Sequence, residues 1–232
     1  MIGKDILVPA HGVYWPIMLH AIGFADEAIP PLLVHGYINQ SGAKMSKSLG
    51  NSADPVELVR QYGAAALRYY LMRESVLGQD MEFSVERLVA RYNSDLANDL
   101  GNLLNRTLNM AQRYRAGAVK KEISAEWQTV LDETAAQYRE KMDAHQIHAG
   151  LEIAMGLATQ CNGLIEFKAP WKLAKDPAKS DELDAVLSAL VASLRVLADL
   201  IEPVLPEAAC AMREQLAAGK PTPLFPRIEF SA

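Results

Sequence analysis

The hydrophobic rhythm of the chain changes near residue 54. Before that point, short apolar runs alternate with Gly and Pro. Ile6-Leu7-Val8 predicts a short buried strand, His11 to Ile22 a helix closed by Gly23, and Leu32-Leu33-Val34-His35-Gly36-Tyr37-Ile38 a second strand ending at the loop Asn39-Gln40-Ser41-Gly42. This β-α-β order predicts the tail of a parallel α/β sheet with too few strands to close a core of its own.

From Asp54 onward apolar residues recur at steps of three and four. Asp54-Pro55-Val56-Glu57 has the order of a helix start, with an N-cap Asp, Pro at N1 and Glu at N3. Ser84 opens a long helix with Leu88, Tyr92, Leu96, Leu100, Leu103 and Leu104 on its apolar face. Ser124 and Ser180 are further candidate N-caps, and Gly117, Gly150 and Lys175-Asp176-Pro177 are candidate breaks. Leu183 to Leu200 is another periodic helix, Pro203 and Pro206 start a last one, and Pro221, Pro223 and Pro226 mark an extended tail. The region after residue 54 therefore reads as a bundle of about five helices.

Composition narrows this picture. The chain has 232 residues, half of them apolar, and no apolar run spans a bilayer. No basic start with an apolar stretch marks a signal peptide, and the expected location is cytoplasmic. Cys161 and Cys210 stand apart, with no CxxC and no paired histidines. That pattern argues against zinc or a disulfide framework and predicts core filler at both positions. The net charge of −5 excludes a protein that grips nucleic acid by bulk charge. Arg106, Arg113, Arg115, Lys120 and Lys121 form the one notable basic concentration, more often a solvated helix face than a phosphate track.

Lys44-Met45-Ser46-Lys47-Ser48 follows a Gly-containing turn. Two ammonium groups with hydroxyls between and after them can surround a polyphosphate, and a loop can close over one and release it. Two lysines alone would more often be an ordinary charged surface loop. The whole string, extended by Leu49-Gly50-Asn51, resembles the ATP-handling loop of class I aminoacyl-tRNA synthetases. Ile2-Gly3-Lys4-Asp5-Ile6, Trp15-Pro16-Ile17-Met18-Leu19 and the segment from Asp95 to Arg106 resemble the methionyl branch of that family. The resemblance runs from Ile2 to about Leu205.

The resemblance implies a mostly α fold, in which a C-terminal remnant of a Rossmann-like α/β catalytic domain precedes an α-helical bundle that binds the anticodon. It divides the chain into the catalytic part (1–53), connecting stem-contact helices (54–83), the anticodon-binding bundle (84–217) and an extended tail (218–232). It implies that Lys44 and Lys47 are catalytic, stabilising phosphate charge as the amino acid attacks the α-phosphate. ATP, with magnesium, would be bound by His35, Gly36, Lys44, Met45, Ser46, Lys47 and Ser48. Methionine would be bound by Asp5, Ile6, His11 and Trp15, whose imidazole and indole suit a thioether. Asn102 and Arg106, four residues apart on one helix, would read the anticodon of tRNA-Met, and Trp171 would stack on one of its bases. Packing alone would place Trp15 and Trp171 in a core.

The family's His-x-Gly-His motif does not occur in these 232 residues, nor does its zinc-bearing insertion. Three expectations follow. The chain is part of a larger or split methionine–tRNA ligase, with a separate N-terminal half as a candidate partner; or a free-standing anticodon-binding module; or a scaffold that keeps only the bundle. The first is preferred, because the family residues are intact at every matching position. Residues 1–53 are expected to leave sheet edges and apolar surface uncovered.

Overall fold

The computed structural model describes residues 1–40, 53–120 and 122–230, together with the backbone of Ala43 and Lys44. The chain forms two units. One comprises Met1–Pro55 and Glu74–Ser84, and the other Val56–Arg73 and Val85–Ala232.

In the first unit, β1 (Ile2–Gly3) pairs in parallel with β2 (Val34–His35), Ile2 opposite Val34 and Gly3 opposite His35. Between them lie a 3-10 turn at Lys4–Ile6, wide π-type helical turns over Leu7–Tyr14, and α1 (Trp15–Ala21), which ends before Gly23 at φ +95. The helix expected from His11 is present. The strand expected at Ile6-Leu7-Val8 is not, because Val8 is a single extended residue, 72% exposed, followed by Pro9. Proline holds its predecessor extended and offers no N–H to a ladder, so a strand cannot continue through it. The expected strand from Leu32 to Ile38 is two, β2 and β3 (Ile38–Gln40). β3 pairs antiparallel with β4 (Ala43–Lys44) and parallel with β5 (Met81–Glu82). Asn39 and Gln40, expected in a loop, are therefore in a strand.

Large apolar side chains of this unit stand in solvent. Val13, Tyr14, Ile17 and Met18 are exposed along the helical turns and α1, with Ile6, Val8, Ile22 and Phe24 beside them in sequence. So many exposed apolar residues on one short segment exceed the scatter normal on a folded surface.

The second unit is helical. α2 (Pro55–Tyr62) starts at Pro55, with α3 (Ala64–Glu74) after Gly63 at φ +85. α4 (Val85–Arg91), π-type turns over Tyr92–Gly101 and α5 (Asn102–Arg115) make one continuous rod, for the residues at both joints keep right-handed helical angles. Its buried face carries all six apolar positions expected from the sequence. Ala116 (φ +51) and Gly117 (φ +84) end the rod.

α6 (Ala125–Asp143) is capped by Ser124, whose hydroxyl accepts from the Trp127 amide at 3.2 Å. α7 (Ile147–Lys168) packs on α6 and on α9 (Ser180–Ile201), with the short α8 (Pro170–Leu173) between them in sequence and α10 (Pro206–Ala218) after them. Thirteen of the 22 residues of α9 are buried, which makes it the central helix. Burying each large apolar side chain is worth about 1.5–3 kcal/mol, so this helix dominates the core.

Three local expectations are corrected. Ser180 is the first residue of α9 and makes no cap; its Oγ instead accepts from Arg115 at 2.9 Å. Gly150 is no break. It lies inside α7, where a Cβ would come within 2.9 Å of Met142 Sδ, so it marks a close α6–α7 approach. Cys161 is core filler, but Cys210 is exposed on α10. Within the core, Ser193 Oγ accepts from the Trp127 indole N–H at 2.9 Å and donates to the Ala189 carbonyl at 2.8 Å.

Residues after α10 follow an irregular path that is fixed by contacts. Asn93 Nδ2 donates to the Ile228 carbonyl at 2.8 Å, and its Oδ1 accepts from the Ile228 amide at 3.1 Å. Buried Phe225 meets Tyr92 edge to face at 6.1 Å, and Gln215 Oε1 accepts from the Thr222 amide at 2.9 Å. Among the described residues no helix is long and apolar enough to cross a membrane.

Candidate functional sites

The first candidate site lies at the carboxyl ends of β1 and β2, the edge at which open parallel sheets bind ligands. The chain leaves β1 at Gly3 and turns at once, which puts Asp5 just past the strand end. A Cβ on Gly3 would sit 2.6 Å from Asp5 Oδ1 and 3.6 Å from His35 Cε1, so the carboxylate and the imidazole flank the open face of Gly3. His35 Nδ1 donates to the Gly36 carbonyl at 2.9 Å, and His11 Nδ1 donates to the Ile6 carbonyl at 2.9 Å. With the proton fixed on Nδ1, each neutral ring keeps Nε2 as an acceptor. Trp15 is half-buried at the head of α1, four residues after His11. Ile6 is 44% exposed.

What holds this edge together was not legible in any local pattern of residues. Asp80 Oδ1 accepts from Lys4 Nζ at 2.6 Å and from the Tyr37 amide at 2.8 Å, and Oδ2 accepts from Lys4 at 2.7 Å. The Lys4 ammonium also stands 4.2 Å over the Tyr37 ring. Its hydrogen bonds hold the Asp80 carboxyl below the usual carboxylate range, with the Tyr37 amide adding to the effect. Gly36 is buried against the backbone of the same segment. A Cβ there would fall 2.1 Å from the Gln79 carbonyl oxygen, so no other residue fits. The partners are 76 and 43 residues apart, beyond any local pattern. Of the lysine loop, the backbone of Lys44 lies in β4; its side chain and Met45, Ser46, Lys47 and Ser48 lie outside the described residues.

The second candidate site is in the helical unit. Asn102 Nδ2 donates to Asn98 Oδ1 at 3.3 Å one turn earlier, and both are on the rod. Arg106 Nη2 donates to Glu166 Oε1 at 2.6 Å, which links α5 to the last turn of α7. Asn162, one turn before Glu166, donates to the Asp99 carbonyl at 3.0 Å, so the two helices advance together toward the C-terminal end of α7. There the chain kinks at Ala169, a non-glycine residue at φ 43 and ψ 66, and enters α8. Trp171 on α8 is 39% exposed, not a core residue, while Pro170 and Leu173 on either side are buried. The structure thus brings Arg106 next to the helix end that leads to Trp171.

Two of the other expected basic residues are neutralised. Arg115 is paired with Asp184, as is Lys120 at 2.8 Å, and their hydrogen bonds and charges hold the Asp184 carboxyl below its ordinary range, Lys120 contributing most. Lys121 lies outside the described residues. Farther along the rod, Asp95 is buried, accepts from Tyr69 at 2.7 Å and faces Arg91 at 3.5 Å and Arg73 at 4.0 Å. Burial first and the Asp95 charge second push the Tyr69 hydroxyl far above its ordinary range, so it stays a donor at any physiological pH. Among the described residues no group of three or more His, Cys, Asp or Glu is arranged to hold a metal ion.

Residues 1–108 match the family described as tRNA synthetases class I (M). Methionine–tRNA ligase of Bacillus subtilis is 39% identical over 99% of this chain and 38% of its own length. That of Deinococcus radiodurans is 42% identical over 95% of this chain and 33% of its own length. Among solved structures, Mycobacterium tuberculosis methionyl-tRNA synthetase in complex with methionyl-adenylate superimposes with a TM-score of 0.84 at 34% identity, covering 98% of this chain and 49% of that one. The chain thus spans under two-fifths of the length of these curated relatives and about half of the solved structure.

Proposed function

We propose, for a chain that belongs to the methionyl-tRNA synthetase family, that it supplies the lysine loop and the anticodon-binding helices of a methionine–tRNA ligase, as part of a larger or two-part enzyme. In that reading the first unit is the C-terminal remnant of a Rossmann-like sheet and the second an anticodon-binding bundle. The observation that carries the first part is the meeting of Asp5, His35 and Gly36 at the carboxyl edge of β1 and β2, beside the hairpin whose second strand runs into the lysine loop.

The reaction divides into two transfers. A carboxylate oxygen of methionine attacks the α-phosphorus of ATP, the bond to the bridging oxygen breaks, and pyrophosphate leaves. A ribose hydroxyl of the tRNA then attacks the carbonyl carbon of the adenylate, and AMP departs. A metaphosphate-like transition state spreads charge over the phosphate oxygens, so positioned cations lower its energy more than an acid or base would. Lys47 is assigned to the departing pyrophosphate and Lys44 to overall phosphate binding, with Met45, Ser46 and Ser48 completing the loop; magnesium arrives with ATP as part of the substrate. Asp5 faces the methionine ammonium, and His11, Ile6 and Trp15 surround its thioether. Gly36 lets the strand approach the adenine side closely, and His35 borders it. Asn102 and Arg106 read anticodon base edges and Trp171 stacks on one base.

The test is methionine-dependent exchange of pyrophosphate into ATP. The 232 residues contain no His-x-Gly-His motif. The isolated chain is expected to show no exchange, and a polypeptide carrying the remaining part of a methionine–tRNA ligase is expected to restore it. Exchange by the isolated chain would overturn the two-part reading. Restored exchange unaffected by Lys47→Ala would overturn the assignment of the loop. The alternative reading is a free-standing anticodon-binding module without catalytic activity. It predicts tight binding of tRNA with a CAU anticodon and no restored exchange under any pairing.

A further inference from the structure

We propose that Phe167 is a second stacking platform for a base of single-stranded RNA, separate from the one assigned to Trp171. The proposal rests on the reading of the helical unit as an RNA-binding one. Phe167 is 83% exposed, the most exposed large apolar side chain among the described residues. It sits in the last turn of a helix in which Leu151, Met155, Leu157 and Ile165 are buried. Its ring stands in water.

Its neighbours define what such a ring can take. Glu166 is held by Arg106 of α5 at 2.6 Å, and Lys168 by Glu182 of α9 at 2.9 Å. These ion pairs fasten the backbone on both sides of Phe167 and leave the ring free between them. The Lys168 ammonium stands 5.8 Å from the ring centroid, a cation–π distance. Beyond the Ala169 kink come Trp171 and the exposed Lys172 and Lys175, which have no ion pair among the described residues. In a chain of net charge −5, this helix end joins two exposed aromatic rings to two uncommitted ammonium groups.

Aromatic platforms within a positive track are how proteins hold single-stranded nucleic acid, since every base offers a π-face and every linkage a phosphate. A protein partner fits less well. Interfaces bury contiguous apolar surface and are depleted in Lys and Glu, whereas Phe167 is flanked in sequence by Glu166 and Lys168. The occupant is therefore a base of the same RNA loop, outside the one stacked on Trp171.

The experiment titrates the chain with a stem-loop RNA carrying a CAU anticodon. Phe167→Ala is expected to weaken binding about 5- to 150-fold, the worth of one base–aromatic stack. Phe167→Tyr should retain affinity, and Phe167→Leu, which keeps apolar bulk without a π-face, should behave as the alanine variant. In a series of stem-loops with single abasic positions, one should weaken wild type and leave Phe167→Ala unchanged, and that position is the stacked base. Binding by Phe167→Ala within twofold of wild type, while Trp171→Ala loses affinity, overturns the platform and leaves the RNA reading standing. Rescue by leucine also overturns it, because a general apolar contact would then suffice. Loss in neither variant overturns the RNA reading of this face and the platform with it.

Discussion

Arg106 reaches across from the rod to Glu166 in the last turn of α7, with 2.6 Å between Nη2 and Oε1. The guanidinium proposed to read an anticodon base is thus held in place by a carboxylate from another helix, at a partly exposed site. A pair like this contributes about 1 kcal/mol or less to stability, so its weight falls on positioning.

If Arg106 reads a base edge and not a phosphate, Arg106→Ala should cost about 1–3 kcal/mol of CAU stem-loop affinity and relax discrimination at one anticodon position. The slope of log affinity against log salt should stay as in wild type. A slope smaller by about one would reassign the residue to a phosphate.

Gly36→Ala should disrupt the first unit and spare the second. A Cβ would meet the Gln79 carbonyl at 2.1 Å, and backbone cannot yield as a flexible side chain can. Hydrogen exchange is expected to rise at residues 34–40 and 79–83 while α9 keeps its protection. Unchanged exchange in β2 and β3 would refute the close approach.

The two thiols should differ sharply toward a disulfide reagent. Burial pushes the Cys161 thiol up to about 11, a hydrogen bond with Ser193 opposing this, whereas Cys210 is exposed. One thiol per native chain should react promptly and the second only on unfolding, and Cys210→Ser should abolish the fast phase.

Acid should reveal the Asp184 pairing. Its folded-state pKa is depressed, so its stabilisation is complete above the ordinary carboxylate value of about 3.9 and disappears as pH falls through the lower folded value. Thermal unfolding followed from pH 6 down to pH 2 should decline less steeply for Asp184→Asn than for wild type. Equal slopes would show that Lys120 and Arg115 do not favour the charged form.

The helical half was legible because long periodic helices carry many votes for one face. The rod from Val85 to Arg115 buries every apolar position expected of it, and the helix expected over Leu183 to Leu200 is α9. The sheet half was less so, since its strands are two or three residues long and are defined by partners. Pro9 prevents a strand at Val8, and Gly36 divides another by leaning on Gln79. At the first site, Asp5, His11 and His35 were reachable from the sequence through family likeness, but Lys4 and Asp80 were not, because their pairing spans 76 residues. At the second, Arg106 and Trp171 were reachable, while Glu166 and Phe167 look like ordinary surface residues until α5 and α7 are set side by side.

The paired hydrogen bonds of Asn93 with Ile228 join positions 135 residues apart. They button the end of the described chain onto the start of the rod, with the Phe225 ring set against Tyr92 beneath them. With the tail pinned in this way, α10 is not a free terminal helix and should open together with the rod rather than fray alone. Conformational freedom that an RNA loop would otherwise have to quench is thereby spent during folding, before any encounter takes place.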